Sequence, residues 1–295
     1  MRLIRDIFAE KKSPGKPVIS LEFFPPKTEE GDRGLLERQI PALLATRPDF
    51  CSVTYGAGGS TREKTLMIVD RIQREHHLTA LAHLTCVNHT RAEVAALLEQ
   101  FQQLGCRNIL ALRGDPPGGG EFKPTPAGFE YSSELVKFIR SAGDFSIGVA
   151  GFPEGHIANK QGKPADWQHL QEKVAAGADF VLTQLFFDNA DFFEFRDYLR
   201  QKLDVRVPIV PGVIAIVSAA QIVRFTQLCG SRIPADLRLK LDALANDDEA
   251  AMEFGIAYAT RQCEELLRAG VPGLHFYTLN KAHSTVRVLK NLGLA

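Results

Sequence analysis

The feature that most constrains this chain is a series of short apolar runs, rich in Val, Ile, Leu and Phe, each followed by a longer stretch of helical periodicity. Eight can be counted, at residues 18–24, 50–55, 79–86, 108–112, 145–152, 180–187, 208–216 and 273–279. Runs that are apolar on both faces suit a parallel sheet covered by helices, and the alternation of run and helix suits closure into a barrel. The expected fold is therefore α/β, a single-domain (β/α)8 TIM barrel over residues 1–295, with a small helical insertion around 233–248. Between the third and fourth runs, Val94, Leu97, Leu98, Phe101 and Leu104 share one helix face, and Gly105 ends that helix. Similar helices are expected over 61–75, 133–141, 167–176, 190–202 and 249–269, and Gly118-Gly119-Gly120 reads as a mobile loop.

Composition removes several classes of function. With 45% hydrophobic and 24% charged residues, the chain can bury a sizeable core. Lys and Arg number 35 against 35 Asp and Glu, and no basic stripe stands out, which argues against nucleic-acid binding. The charged first 16 residues lack the apolar run of a secretory signal, and nothing reads as a membrane span, so a cytoplasmic protein is expected. Cys51, Cys86, Cys106, Cys229 and Cys263 are odd in number and widely spaced, unlike a disulfide framework or a zinc site. They read as buried free thiols. No His-Glu-x-x-His sequence occurs, so no catalytic metal is expected.

Polar residues gather where each run stops. Glu22 closes the first, Thr54 and Tyr55 the second, His83 and Thr85 the third, and Arg113 and Asp115 the fourth. Gln184 closes the sixth, and Thr278, Asn280 and Lys281 follow the eighth. In a barrel these carboxyl ends converge on one face, where active sites form. Caps and loop donors explain one or two such residues, less readily so many.

Four motifs carry the chemistry. Leu21-Glu22-Phe23-Phe24-Pro25-Pro26 sets a carboxylate among aromatics before two prolines that end ladder pairing. Desolvation there is expected to raise the carboxyl pKa toward that of a general acid; a strand-end glutamate paired with a cation is the plainer alternative. Thr54-Tyr55-Gly56-Ala57-Gly58-Gly59-Ser60 lets backbone approach a ligand closely, but matches neither a nucleotide-hydrolase loop nor a Rossmann fingerprint. Arg113-Gly114-Asp115 places opposite charges at one strand end, to be satisfied by an internal ion pair or by a ligand. In Thr183-Gln184-Leu185-Phe186-Phe187-Asp188 the amide can read a heterocycle edge, while Phe152-Pro153-Glu154-Gly155-His156 adds an aromatic platform and an imidazole that is as readily structural as functional.

Taken in order, Glu22-Phe23-Phe24-Pro25-Pro26-Lys27, Ser52-Val53-Thr54-Tyr55-Gly56-Ala57-Gly58-Gly59-Ser60-Thr61, Ala82-His83-Leu84-Thr85-Cys86, Ala111-Leu112-Arg113-Gly114-Asp115-Pro116, the Thr183 block and His275-Phe276-Tyr277-Thr278-Leu279-Asn280 resemble the signature of the methylenetetrahydrofolate reductase family. The resemblance runs from about Val18 to the end and is to the short, bacterial-type form. It implies FAD reduced by NADH or NADPH, then exchange of the nicotinamide for methylenetetrahydrofolate in a ping-pong cycle that yields methyltetrahydrofolate, by a homo-oligomer. On this resemblance Glu22 is the acid that opens the folate's five-membered ring, and Asp115 favours the cationic intermediate while binding the pterin edge. Thr54, Tyr55, Ala57, His83, Arg113, Gly114, Asp115, Tyr131, Phe152, His156, Asp166, His169 and Lys173 then match FAD-side positions, Lys173 being suited to the pyrophosphate. Gln184, Gln221, Phe225 and Lys281 match substrate-side positions.

Some positions depart from the common bacterial pattern. Phe152 stands where a tyrosine is frequent, Lys281 where an arginine is, His169 and Glu172 where an asparagine and an arginine are, and Ala215 where a proline is. Two rival readings follow from residues of this kind: a flavin-free barrel lyase or aldolase, and a folate-binding barrel that lost turnover.

Overall fold

The architecture follows from the period-2 pattern of the runs. In the computed structural model, residues 1–11, 16–55, 62–116, 120 and 122–295 are described. Strands β1 (Val18–Phe23), β2 (Phe50–Val53), β3 (Thr79–Thr85), β4 (Asn108–Leu112), β5 (Ser146–Gly151), β6 (Phe180–Leu185), β7 (Ile209–Val213) and β8 (Gly273–Tyr277) pair in parallel in chain order. β8 returns to β1, with Val18 opposite Gly273 and Glu22 opposite Tyr277, so the sheet closes into the expected barrel. Within β1, Ile19, Leu21 and Phe23 pack outward against the helices, whereas Val18 joins Phe50, Leu81, Leu110, Phe180, Leu182 and Val210 inside the barrel.

Several strands stop short of the apolar runs that announce them. β2 ends at Val53 and β7 at Val213, although their runs continue to Tyr55 and Ile216. The ladder stops there, but Ile214 and Ile216 stay buried because they pack into a satellite cluster with Ile222, Leu237 and Leu241. That cluster lies under α9 (Ala219–Cys229), α10 (Ala235–Ala243) and α11 (Asp248–Arg268). A side chain at Gly255 of α11 would place its Cβ 2.1 Å from the Ile216 carbonyl oxygen, so only glycine lets this helix lie so close.

The foot of the barrel is sealed by α1 (Ile4–Glu10), an element the sequence reading passed over as merely charged. Ile4, Ile7 and Phe8 fall at the i, i+3, i+4 spacing of one helix face and enter the inner cluster. The Phe8 ring lies 5.7 Å from that of Phe180 and 6.4 Å from that of Phe50. Asn108 Oδ1 accepts from the Ile4 amide at 2.9 Å, and Ser146 Oγ accepts from the Arg5 amide at 3.0 Å, satisfying free N–H groups of the first turn.

The outer shell follows ordinary helix rules. α4 (Arg62–His76) covers β2 and β3, and α5 (Arg91–Gln103) begins with a Thr90–Glu93 capping box. α6 (Ser132–Ala142), α7 (Lys163–Ala175) and α8 (Asn189–Gln201) follow β4, β5 and β6. Between β1 and β2, α2 (Glu29–Gly34) continues through a π-helical turn, Leu35–Gln39, into α3 (Ile40–Leu44). Pro41 has no N–H for the Glu37 carbonyl, and just before it the ladder widens, Ile40 N donating to Leu35 O. Gln39 Oε1 then accepts from the amide of Ala282 at 2.8 Å, capping α12 (Ala282–Asn291) from a neighbouring helix. No helix among the described residues is long and apolar enough to cross a membrane.

Phe8→Ala should cost ~3–5 kcal/mol, the range for truncating a buried aromatic, read by chemical denaturation. A loss below ~1 kcal/mol would show that α1 is a surface appendage rather than the barrel's floor.

Candidate active site at the barrel mouth

The strands end around a cavity of about 700 Å³, within the range of small-molecule and cofactor sites. Glu22, Thr54, His83, Arg113, Gly114, Asp115 and Gln184 line it from the strand ends, joined by Tyr131, Phe152, His156, Asp166, His169 and Lys173 from the adjoining loops and helices. Residues separated by as many as 255 positions, from Glu22 to Tyr277, thus face one space.

Its most unusual group is the Glu22 carboxyl, only 5% exposed. Oε2 accepts from Ser52 Oγ at 3.2 Å and lies 3.3 Å from His275 Nε2 and 3.4 Å from His83 Nε2. The His83 contact is poorly aligned and makes no hydrogen bond, so His275 is the better donor. Oε1 receives no hydrogen bond from any described residue. His275 is itself held through Nδ1, 2.8 Å from Ser20 Oγ. Ser20, Glu22, His275 and Tyr277 are alternate residues on adjacent strands, and Ser52 and His83 join them from β2 and β3.

The expected direction of the Glu22 pKa is corrected here. Burial pushes the carboxyl up, as the apolar context of β1 suggested, but the His275 hydrogen bond and the close approach of both the His275 and His83 rings outweigh it and bring the pKa down to about 2. The error lay in reading Glu22 from its chain neighbours. Its partners come from β3 and β8, and His275, although quoted in the motif, was not singled out. The signal was a polar residue two positions before Tyr277 on an otherwise apolar strand.

The opposite wall, from β4, β5 and α7, is aromatic and carries charges of both signs, Arg113 and Lys173 beside Asp115, Asp166 and Glu172. Arg113 and Asp115 form no ion pair: the guanidinium lies 5.0 Å from the centre of the Phe122 ring, and Asp115 is exposed. The Lys173 ammonium is enclosed by protein although the residue remains reachable from the cavity, and Ala150 O at 2.9 Å is its hydrogen-bond acceptor. Burial lowers its pKa to about 8; Asp166 opposes that shift and Arg113 adds to it. The Phe152 and His156 rings meet edge to face with centroids 4.6 Å apart, and Trp167 Nε1 donates to Phe152 O at 2.9 Å, fixing that turn. Burial and Arg113 push the His156 pKa down.

Gln184 projects from an irregularity in β6, where the register with β7 shifts between Leu182 and Leu185. The neighbouring Thr183 carbonyl accepts from Tyr277 OH at 2.7 Å, and Thr183 Oγ1 accepts from Gly212 N at 2.9 Å. A Cβ on Gly212 would fall 2.6 Å from the Tyr277 ring, so this glycine lets Tyr277 reach across β7.

Other expected residues lie elsewhere. Tyr55 is buried with its hydroxyl 3.1 Å from His89 Nε2, a contact that follows from His89 sitting in the turn after β3. Gln221 and Phe225 lie on α9, Phe225 packed against the satellite cluster, and Lys281 is exposed ahead of α12; none lines the cavity. Ala57 and most of its glycine-rich turn, with Gly118 and Gly119, lie outside the described residues. All five cysteines are free; four are buried as expected, while Cys229 is half-buried at the cavity wall.

The family model for methylenetetrahydrofolate reductase matches residues 6–293. The chain is 41% identical over 291 residues to methylenetetrahydrofolate reductase (NADH) 1 of Arabidopsis thaliana, covering 95% of this chain and 49% of that protein. It is 37% identical over 281 residues to 5,10-methylenetetrahydrofolate reductase of Salmonella typhimurium, covering 95% of this chain and 92% of that protein. It thus spans about half the length of the plant relatives and nearly all of the bacterial one. Among solved structures, a Clostridium thermocellum protein described as binding two copies of 5-methyl-5,6,7,8-tetrahydrofolic acid superposes with a TM-score of 0.68 at 16% identity, over 98% of this chain and 97% of that one. At that identity the likeness is one of fold.

His275→Leu should move the Glu22 carboxyl upward from about 2, because burial remains while the better-aligned donor is gone. Carboxyl ¹³C titration reads this directly, and an unmoved midpoint would mean that His275 does not hold the charge.

Proposed function

The chain belongs to the methylenetetrahydrofolate reductase family, and from that premise we propose that it reduces 5,10-methylenetetrahydrofolate to 5-methyltetrahydrofolate with electrons from NADH or NADPH passed through FAD. The observation that carries the reading is the Glu22 cluster: a carboxyl with one oxygen engaged and the other open, in a cavity that also holds Lys173 and Arg113. A bound flavin supplies hydride transfer from a nicotinamide to an opened folate. We read the two substrates as taking turns in this one mouth, and the enzyme as cytoplasmic and self-associating on family grounds.

The residues present fit such a cofactor. Lys173 and Arg113, neither of them paired to a carboxylate by hydrogen bond, would hold its phosphates, and the Phe152–His156 pair offers an aromatic surface. On the same reading Gln184 and Asp115 serve the folate. Gln184, its Oε1 accepting from Leu185 N at 2.9 Å, keeps an amide N–H₂ to offer a pterin. Asp115, exposed and without a hydrogen-bond partner among the described residues, is available to the amino-pyrimidine edge and to the positive charge that develops on ring opening.

Glu22 must deliver a proton to the departing folate nitrogen, although its carboxyl is ionised without ligand. Burial resolves this, because it is the effect that pushes the carboxyl up. A ligand that covers the mouth excludes the remaining water and strengthens that effect, so Glu22 takes up a proton as the substrate arrives. Ser20 steadies the far side of the His275 ring throughout.

Two outcomes test this reading. Glu22→Gln should keep flavin content and nicotinamide-driven reduction while folate reduction falls by about 10²-fold or more, since only that half needs the proton. Stopped-flow showing equal loss in both halves removes Glu22 from the folate step, and protein without 450 nm absorbance after reconstitution with FAD removes the flavin reading. Flavin affinity should also weaken as pH rises through about 8, where Lys173 loses its charge: an anion binds the protonated amine more tightly, so binding takes up a proton there. Lys173→Met should abolish that alkaline limb in a titration of apoprotein with FAD.

A further inference from the structure

We propose that Asn280, which makes no contact with the Glu22 carboxyl, is a positioning residue that holds Glu22 between its two imidazoles by clamping the end of β1. The proposal rests on the reading of Glu22 as the folate's proton donor. Ladder pairing between β1 and β8 ends at Glu22 and Tyr277, two residues short of Phe24. Beyond that point β8 turns sharply, with Leu279 at φ 48° and Asn280 at φ 57°, consecutive left-handed residues that are not glycine. Such a backbone persists only where its surroundings over-determine it.

What over-determines it is a side-chain continuation of the ladder. Asn280 Oδ1 accepts from Phe24 N at 2.9 Å and Nδ2 donates to Phe24 O at 2.6 Å, so one amide does the work of a paired strand residue. Thr278 Oγ1 donates to Glu22 O at 2.6 Å and accepts from Asn280 N at 3.2 Å. From the other edge, Thr54 N donates to Phe23 O at 2.9 Å. The next two residues are Pro25 and Pro26, which have no N–H to offer, so Asn280 alone secures the Phe24 peptide groups among the described residues.

Glu22 is unusually sensitive to that anchor. Its three carboxyl contacts span 3.2–3.4 Å, at the outer edge of hydrogen bonding, so a shift of a few tenths of an ångström breaks them. The groups facing the carboxyl are Ser52 from β2, His83 from β3, and His275 and Tyr277 from β8. Ser52, His83 and His275 lie in ladder-paired stretches of β2, β3 and β8, so releasing the clamp moves Glu22 relative to them.

Asn280→Gly tests this, because glycine adopts the left-handed backbone without strain and removes only the amide. In flavin-free protein, the ¹³C resonance of the Glu22 carboxyl should titrate at higher pH than in the unaltered chain. In the reconstituted enzyme, kcat for folate reduction should fall about tenfold with KM for folate nearly unchanged, while nicotinamide-driven flavin reduction is retained. Asn280→Asp keeps the acceptor for Phe24 N and should lie between. An unmoved carboxyl titration overturns the proposal, as does equal loss of both half-reactions with that titration unmoved, which is the mark of a purely structural clamp. If Asn280→Gly does not fold, the titration of Asn280→Asp decides by the same criterion. If the unaltered chain fails to reduce the folate, the functional reading fails, and the titration still judges the clamp.

Discussion

Everything at the mouth depends on closure of the β1–β8 seam. Five register pairs, from Val18 with Gly273 to Glu22 with Tyr277, join the first strand to the last, and the seam brings Glu22 beside His275. An open sheet of the same strands would leave both as edge residues with unpaired backbone, and a buried carboxylate without its donor. Closure also requires the interior to be filled. Bulky residues occupy the lower half, α1 seals the foot, and the smaller or polar residues Ser20, Ser52 and Gly212 leave the upper half free for the site.

Within that frame the Glu22 cluster sets two large effects against each other. Burial alone would favour a neutral carboxyl, and imidazole donors alone would favour a carboxylate; in the unliganded mouth the donors win. The balance is delicate because every contact to Oε2 is long. A site in which solvent exclusion and small displacements both move a proton is suited to acid chemistry only when covered, which fits a donor that must not release its proton before the substrate arrives.

How much of this was legible follows from where the information lies in the chain. Strand identity was legible because apolar runs and helical faces are local patterns, and all eight runs became strands of the barrel. Strand ends were less so: Ile214 and Ile216 are apolar for the sake of α9 to α11, not of a ladder, and local hydrophobicity cannot tell these causes apart. Which polar residues share the mouth was largely readable from their positions at run ends, as for Thr54, His83 and Gln184. Their partners were not. The Glu22–His275 contact spans 253 residues and the Asn280–Phe24 clamp 256, and a polar residue such as His275 can be noticed in the sequence but paired with its partner only by knowing the register. Tyr55 shows the opposite error, since its strand-end position implied the cavity while its ring turned to His89.

The mouth is also divided, and the division bears on how one space can serve two partners. The proton-handling groups come from β1, β2, β3 and β8, whereas the cationic and aromatic groups come from the ends of β4 and β5 and from α7. Proton-handling groups on one side and the cations Arg113 and Lys173 on the other make the two sides of the cavity chemically unlike. On the proposed function, the anionic end of a ligand would go to Lys173 and Arg113, where its charge would replace solvent that the enclosed ammonium has lost. The heterocycle would then face Gln184 and the open oxygen of Glu22, so on that reading the separation of groups along the barrel's rim, more than any single residue, sets which end of a visitor meets the proton.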